Sequence, residues 1–152
     1  MFEKDKNSNN NRKLYIVAGG SRLGANVASL LSKHNKEVVV IDLNPSAFKK
    51  LHPDYSGYSI AGDAADISAL EGAGIQHSLA VIAATDDDNT NIMVSQIAKK
   101  VFNVPIVIAR LYSTELEDIA SENGVQVVYP YKLSIESIEK FLNERECLKW
   151  RL

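Results

Sequence analysis

The short apolar run Leu14–Ala18 breaks into Gly19-Gly20-Ser21-Arg22-Leu23-Gly24, and no other stretch restricts the fold as tightly. An uninterrupted apolar, β-branched run of this length suits a strand buried on both faces. After the glycines, Leu23, Val27, Leu30 and Leu31 recur at i, i+4, i+7 and i+8, which predicts a helix with one apolar face. Val38–Ile41 predicts a second strand, and it ends on Asp42. Strand, glycine turn, helix, strand and closing acid together make a βαβ unit of the dinucleotide-binding type.

That order suits a phosphate for electrostatic reasons. The first turn of a helix leaves backbone N–H groups unpaired, and the aligned peptide dipoles add positive charge there. A diphosphate reaches that end only where the preceding turn carries little side-chain bulk. Gly19 supplies the tight turn, and Gly24 lets the helix lie close to the sheet. Asp42 stands where a carboxylate accepts both hydroxyls of an adenosine ribose and repels a 2′-phosphate, which disfavours NADP. Ser21 departs from G-x-G-x-x-G at the middle glycine. Its side chain either crowds a dinucleotide or donates a hydrogen bond to a phosphate oxygen. A turn of this kind that has lost its ligand is the plain alternative.

Further strands are predicted at Tyr58–Ala61, Leu79–Ala84, Val104–Ala109 and Val125–Val128. Between them, Asn44-Pro45 opens a short helix to about Leu51, and Asp66 caps a brief one that stops at Gly72-Ala73-Gly74. A long helix runs to about Phe102, with Met93, Ile97, Ala98 and Val101 as its expected buried stripe. Thr114–Glu122 is expected to be helical. The last helix, Leu133–Arg145, carries Ile135, Ile138 and Leu142 on one face with Phe141 beside them. Strands alternating with helices through short links predict a doubly wound α/β fold, a parallel six-stranded sheet in the order 3-2-1-4-5-6.

With 152 residues, 45% hydrophobic and 24% charged, the chain suits one globular domain, expected over residues 13–146. Residues 1–12 are polar and read as a loose tail without the apolar core of a signal peptide; 147–152 read as a C-terminal tail. A net charge of -2 offers no basic field for nucleic acid, and no apolar run is long enough for direct membrane insertion. Cys147 is the lone cysteine, which fits a reducing cytoplasm and reads as incidental.

In an open α/β sheet, ligands bind beyond the carboxyl ends of the strands, where the strand order reverses. The candidates are therefore Gly19, Gly20, Ser21, Arg22, Leu23, Asp42, Asp63, Thr85, Asp86 and Arg110. Several have ordinary alternatives. Asp63 either lines the cleft or caps a turn. Asp86, Asp87 and Asp88 either complement the start of the next helix or hold a divalent cation, and the helix role suits Asp87 and Asp88 better. Arg22 and Arg110 are either surface charges or clamps for phosphate or carboxylate. His34, His52 and His77 are dispersed, with no triad and no metal-ligand spacing. A nucleotide cleft without reaction groups points to sensing rather than catalysis, so no enzyme is expected.

The segments IVAGGSRLGANVASLL, VVVID, AGDAAD with LEGAGI, AVIAATDDDNTN, VIAR and NGVQVVYP together resemble the N-terminal nucleotide-binding domain of the RCK/KTN family, the regulators of K⁺ conductance. That family includes the cytoplasmic TrkA-type subunits of bacterial potassium uptake systems. The resemblance implies binding of NAD(H), ATP, ADP or AMP without turnover. It places Gly19–Leu23 on the phosphates, Asp42 on the ribose, Asp63 beside the adenine, and Thr85 and Asp86 across the cleft. Arg110 is implied to reach the ligand or a neighbouring subunit. The last helix, with Leu148 and Trp150 beyond it, is implied to pair subunits into a homodimer or ring beneath a membrane-embedded K⁺ pore subunit; docking on its own sheet is the alternative. An NAD-dependent oxidoreductase domain with its substrate domain on another chain, and an interaction module with a dead site, are the competing readings.

Overall fold

The computed structural model describes residues 11–145. Its sheet contains β1 (Leu14–Ala18), β2 (Glu37–Asp42), β3 (Tyr58–Ala61), β4 (Ser78–Ala83), β5 (Ile106–Arg110) and β6 (Gln126–Val128). All pairings are parallel, and the order is β3-β2-β1-β4-β5-β6. Val17 of β1 lies opposite Val40 on one side and Ile82 on the other, so the reversal of strand order falls between β1 and β4. The crossovers hold α1 (Arg22–Lys33), α2 (Ile67–Gly72), α3 (Asp88–Gln96) and α4 (Glu117–Ala120), and α5 (Pro130–Glu144) follows β6. A 3₁₀ turn, Pro45–Lys50, occupies the second link.

Alternation along β1 explains why both faces are covered. Ile16 and Ala18 enter a core with Ile41, Leu70, Val81, Val94 and Val107, while Val17 faces Val38, Val40 and Ala28 on the other side. Just before β1, Arg12 donates to the carbonyls of Ser78 and Phe102, each at 3.1 Å, and ties the chain to β4 and the end of α3.

Two helices match the faces expected of them only in part: Val27 and Leu31 of α1, and Ile97 and Ala98 beyond α3, do pack on the cores. On α1 the residues against the sheet are Gly24, Ala25, Ala28 and Ser32, whereas Leu30 is 56% exposed. On α3 the buried set is Asn91, Val94 and Ser95, and Ala98 continues it. Met93 is 54% exposed and Val101 is also exposed, which corrects the expected stripe. The same helix passes into a π turn over Ile97–Val101. The segment predicted as one helix over Thr114–Glu122 is a turn, Thr114–Leu116, followed by α4. α5 begins at Pro130 rather than Leu133, because a proline lacks the N–H that the first helical turn leaves unpaired anyway. None of its residues is buried, so its apolar face does not dock on its own sheet. Leu148, Trp150, Cys147 and most of the polar N-terminal stretch lie outside the described residues.

Candidate functional site

The turn after β1 is shaped by two glycines. Gly19 has φ +106, and a Cβ there would meet the Thr85 amide nitrogen at 2.6 Å. A Cβ on Gly24 would collide with the Gly19 carbonyl oxygen, so α1 and the turn are in backbone contact. This closeness brings the start of α1 to the carboxyl ends of β1 and β4. There the amides of Gly20 and Gly24 are already taken, by Asp42 and Ser21. Those of Arg22 and Leu23, in the first helical turn, have no intrahelical acceptor.

Asp42 closes β2 and organises the loop beside it. One of its oxygens, Oδ2, accepts from the Gly20 amide at 2.7 Å, and Oδ1 accepts from Asn44 at 2.8 Å. A carboxylate has about four lone-pair positions, so two remain for a pair of hydroxyls. Ser21 is the N-cap of α1: its Oγ accepts from Gly24 at 3.2 Å and donates to the Ala84 carbonyl at 2.6 Å. Its only hydroxyl hydrogen is thereby engaged within the protein. Of the two roles open to Ser21, crowding is the one this geometry favours.

On the opposite wall, Thr85 is held by the fully buried Asn91. Asn91 Oδ1 accepts from the Thr85 amide at 2.9 Å and from Thr85 Oγ1 at 2.6 Å. Asp87 caps α3, accepting from the amide and hydroxyl of Thr90, and those bonds hold its carboxyl below the usual range. Asp88 accepts from the amides of Tyr112 and Ser113, both at 2.9 Å, and links α3 to the loop after β5. Asp63 accepts from Ala65 at 2.9 Å, so it caps its turn and lines the cleft at once. Arg110, at the end of β5, is 5% exposed and lies over the Tyr112 ring, 4.2 Å from its centroid.

These residues enclose two adjoining cavities. The first, about 320 Å³, brings together Gly19, Ser21, Asp42, Asp63, Thr85 and Asp86. The second, about 380 Å³, is lined by Ser21, Arg22, Leu23, Asp86, Arg110 and Tyr112, among others. Gly20 lines neither; its part is the amide it gives to Asp42. Among the described residues, no group of three or more His, Cys, Asp or Glu is placed to hold a metal ion. Asn91, Leu43, Ala64 and Tyr112 were not singled out as candidates from the sequence. Asn91 ends the polar run Asp86-Asp87-Asp88-Asn89-Thr90-Asn91, and nothing in that run sets it apart from Asn89.

A doubly wound sheet with this turn and this acid defines a Rossmann-like domain of the nucleotide-binding type. The chain belongs to the TrkA-N domain family, whose profile matches residues 15–130. It is 30% identical over 113 residues to the Trk system potassium uptake protein TrkA of Streptomyces coelicolor, covering 74% of this chain and 51% of that protein. It therefore spans about half the length of that relative. Among solved structures, the GsuK RCK domain superposes with a TM-score of 0.75 at 25% identity, over 89% of this chain and 29% of the other. Structures of GsuK bound to ADP (TM-score 0.74, 23% identity, 89% and 35% covered) and of the GsuK channel bound to NAD (0.75, 24%, 88% and 24%) share the fold. No helix among the described residues is long and apolar enough to cross a membrane.

Proposed function

We propose that the cleft between β1 and β4 binds an adenine nucleotide, NAD(H), AMP, ADP or ATP, as a signal and leaves it unchanged. The ribose is held by the two remaining lone-pair positions of Asp42, and the first phosphate by the amides at the start of α1. Gly19–Leu23 form the phosphate loop, Asp63 stands by the adenine, and Thr85 and Asp86 make the far wall. The observation that carries this reading is the pair of adjoining cavities: the partly free Asp42 carboxylate lines the first, of about 320 Å³, and Arg22 and Leu23, whose amides have no intrahelical acceptor, line the second.

Among the described residues, none that lines either cavity is a histidine, cysteine or lysine; the potassium uptake relative favours a sensor over a hydride-transferring enzyme. In the wider reading, the domain is a cytoplasmic regulatory subunit of a potassium transporter or channel, peripheral to the membrane through its pore-forming partner. Family membership and the potassium uptake relative support it. The exposed face of α5 is the contact that makes a homodimer or ring. A nucleotide gates flux in such an assembly only by its difference in affinity for two ring states.

Isothermal titration with NADH, NAD, AMP, ADP and ATP tests the core of the proposal. At least one is expected to bind saturably and to be recovered intact. Failure of all five to bind, or a change in the recovered nucleotide, would overturn it.

A further inference from the structure

A third cavity, of about 400 Å³, opens on the outer side of α1, and none of its lining residues lines the first. Asn26, Ser29, Leu30 and Lys33 recur at i, i+3, i+4 and i+7, so they form one stripe of the helix and one wall of this space. Lys50, His52, Asp54 and Tyr55, from the 3₁₀ turn and the loop after it, form the other. The two walls are tied together, because Ser29 Oγ donates to the Ala25 carbonyl at 2.8 Å and accepts from the His52 amide at 3.0 Å. Three donors are left over. Lys33 has no hydrogen-bond or ion-pair partner among the described residues. Lys50 Nζ makes one long bond, 3.5 Å, to the Gly20 carbonyl, which leaves two of its three hydrogens. His52 Nδ1 accepts from the Asp54 amide at 3.1 Å, so the hydrogen of the neutral ring is on Nε2. Asp54 alone among the lining residues is acidic; its side chain is 93% exposed, so water screens its charge.

We propose that this cavity is a binding site for a small organic phosphate monoester, separate from the nucleotide cleft. Two ammonium groups and one imidazole N–H supply the donors, and a phosphate dianion brings three acceptor oxygens to meet them. A carboxylate brings one charge and two oxygens, and would leave a donor unmatched. The excess of lysine over acid in the cavity stands in a chain whose net charge is -2, so the positive field belongs to this place and not to the whole surface. The space holds more than the phosphate alone, since about 300–1,000 Å³ is the usual range for organic ligands. Leu30, 56% exposed, and the ring of Tyr55 line it, so an apolar group carried by the phosphate has a surface to cover. Occupancy reaches the turn after β1, because the phosphate draws Lys50 from the carbonyl of Gly20, the residue whose amide Asp42 holds. The proposal requires no ligand in the first cavity.

Titration of the full chain with phenyl phosphate, followed residue by residue through the amide NMR spectrum, tests the proposal, with inorganic phosphate as the comparison. Phenyl phosphate should saturate and shift the amides of Ser29, Leu30, Lys33 and His52, while those of Ile41, Asp63 and Thr85 in the first cavity stay in place. It should bind about tenfold tighter than inorganic phosphate, and Leu30→Ser should narrow that gap. Lys33→Gln with Lys50→Gln should weaken it about tenfold. Leu30, Lys33 and Lys50 are all exposed, so the variants should keep the fold, and the same spectrum verifies it. Shifts that do not saturate, shifts confined to the first cavity, or an affinity that the two lysine changes leave alone would overturn the site. Equal affinity for phenyl phosphate and inorganic phosphate would overturn the organic monoester as its ligand.

Discussion

Asn91 Nδ2 donates to the Arg110 carbonyl oxygen at 2.9 Å, so one buried side chain from α3 joins the end of β5 to the end of β4. Its other bonds all go to Thr85. Asn91→Ala would leave the Thr85 amide and two carbonyls without their partner in a buried setting. A loss of about 3 kcal/mol is expected, because each buried polar group stranded in this way costs about 1–3 kcal/mol. The urea midpoint, with an unchanged slope, measures it. A loss below about 1 kcal/mol would mean that water or a neighbour replaces the amide.

Gly24 predicts a different kind of failure. A Cβ there meets the Gly19 carbonyl, which is backbone and has little room to retreat. Gly24→Ala should cost about 1–3 kcal/mol, the usual range for overpacking, and should push α1 away from the turn. Nucleotide affinity should fall further than stability alone explains. Binding measured on the fraction still folded separates the two effects.

The path from sequence to fold was clearest where backbone rules act alone. The strand runs, the glycine turn and Asp42 follow from periodicity and from the geometry of a βαβ unit, and the strand order followed from them. Helix faces were harder to read, for a physical reason. Where α1 touches backbone, the contact favours Gly24, Ala25, Ala28 and Ser32 over leucines, so hydrophobicity alone finds Val27 and Leu31 at the edge of the contact, misses its centre and includes the exposed Leu30. On α3 a polar residue is fully buried because the strand ends supply its partners, which are distant in sequence. Local pattern does not contain that information. The setting of Arg110 likewise depends on Asp86 and Tyr112 converging from separate loops.

α5 leads to a prediction about assembly. Its Ile135, Ile138, Phe141 and Leu142 share one side and are exposed, Phe141 at 64%, and this is the surface that the proposed dimer would use. Ile138→Asp with Phe141→Asp should leave the fold intact, since neither side chain packs on the sheet. The variant should sediment as a monomer where the wild type associates. Burial of two such side chains is worth about 1.5–3 kcal/mol each, so the dissociation constant should rise about a hundredfold or more. Sedimentation equilibrium over a concentration series checks this, and association unaffected by both changes would remove α5 from the interface.

Tyr55 gives the fold a limit at high pH. Burial pushes its hydroxyl up to about 12, and the hydroxyl donates to the Tyr58 carbonyl at 2.7 Å. Because the folded value lies above the unfolded one, the contribution is complete below about pH 10, the ordinary tyrosine value. It is lost as pH rises through about 12. Tyr55→Phe should lower stability at neutral pH by about 1 kcal/mol, the net worth of a hydrogen bond. It should also flatten the fall in melting temperature between about pH 10 and 12. A slope identical to wild type would show that other groups govern alkaline unfolding.

Ser21 decides how a ligand crosses the turn. Its hydroxyl hydrogen goes to Ala84 at 2.6 Å, and its Cβ stands where a glycine would let backbone approach a pyrophosphate. A dinucleotide must lie across this point with a ribose fixed at each end, whereas the terminal phosphate of ADP is free to turn aside. Ser21→Gly should therefore raise the affinity for NADH relative to AMP by about tenfold, equivalent to about 1.4 kcal/mol. Loss of the cap and of the Ala84 bond should lower stability by about 1 kcal/mol. Reading the NADH-to-AMP ratio, rather than either affinity alone, separates the opened turn from the weakened helix start. A ratio that stays put would place the limit on dinucleotides elsewhere, with the second cavity and its arginine the next place to look.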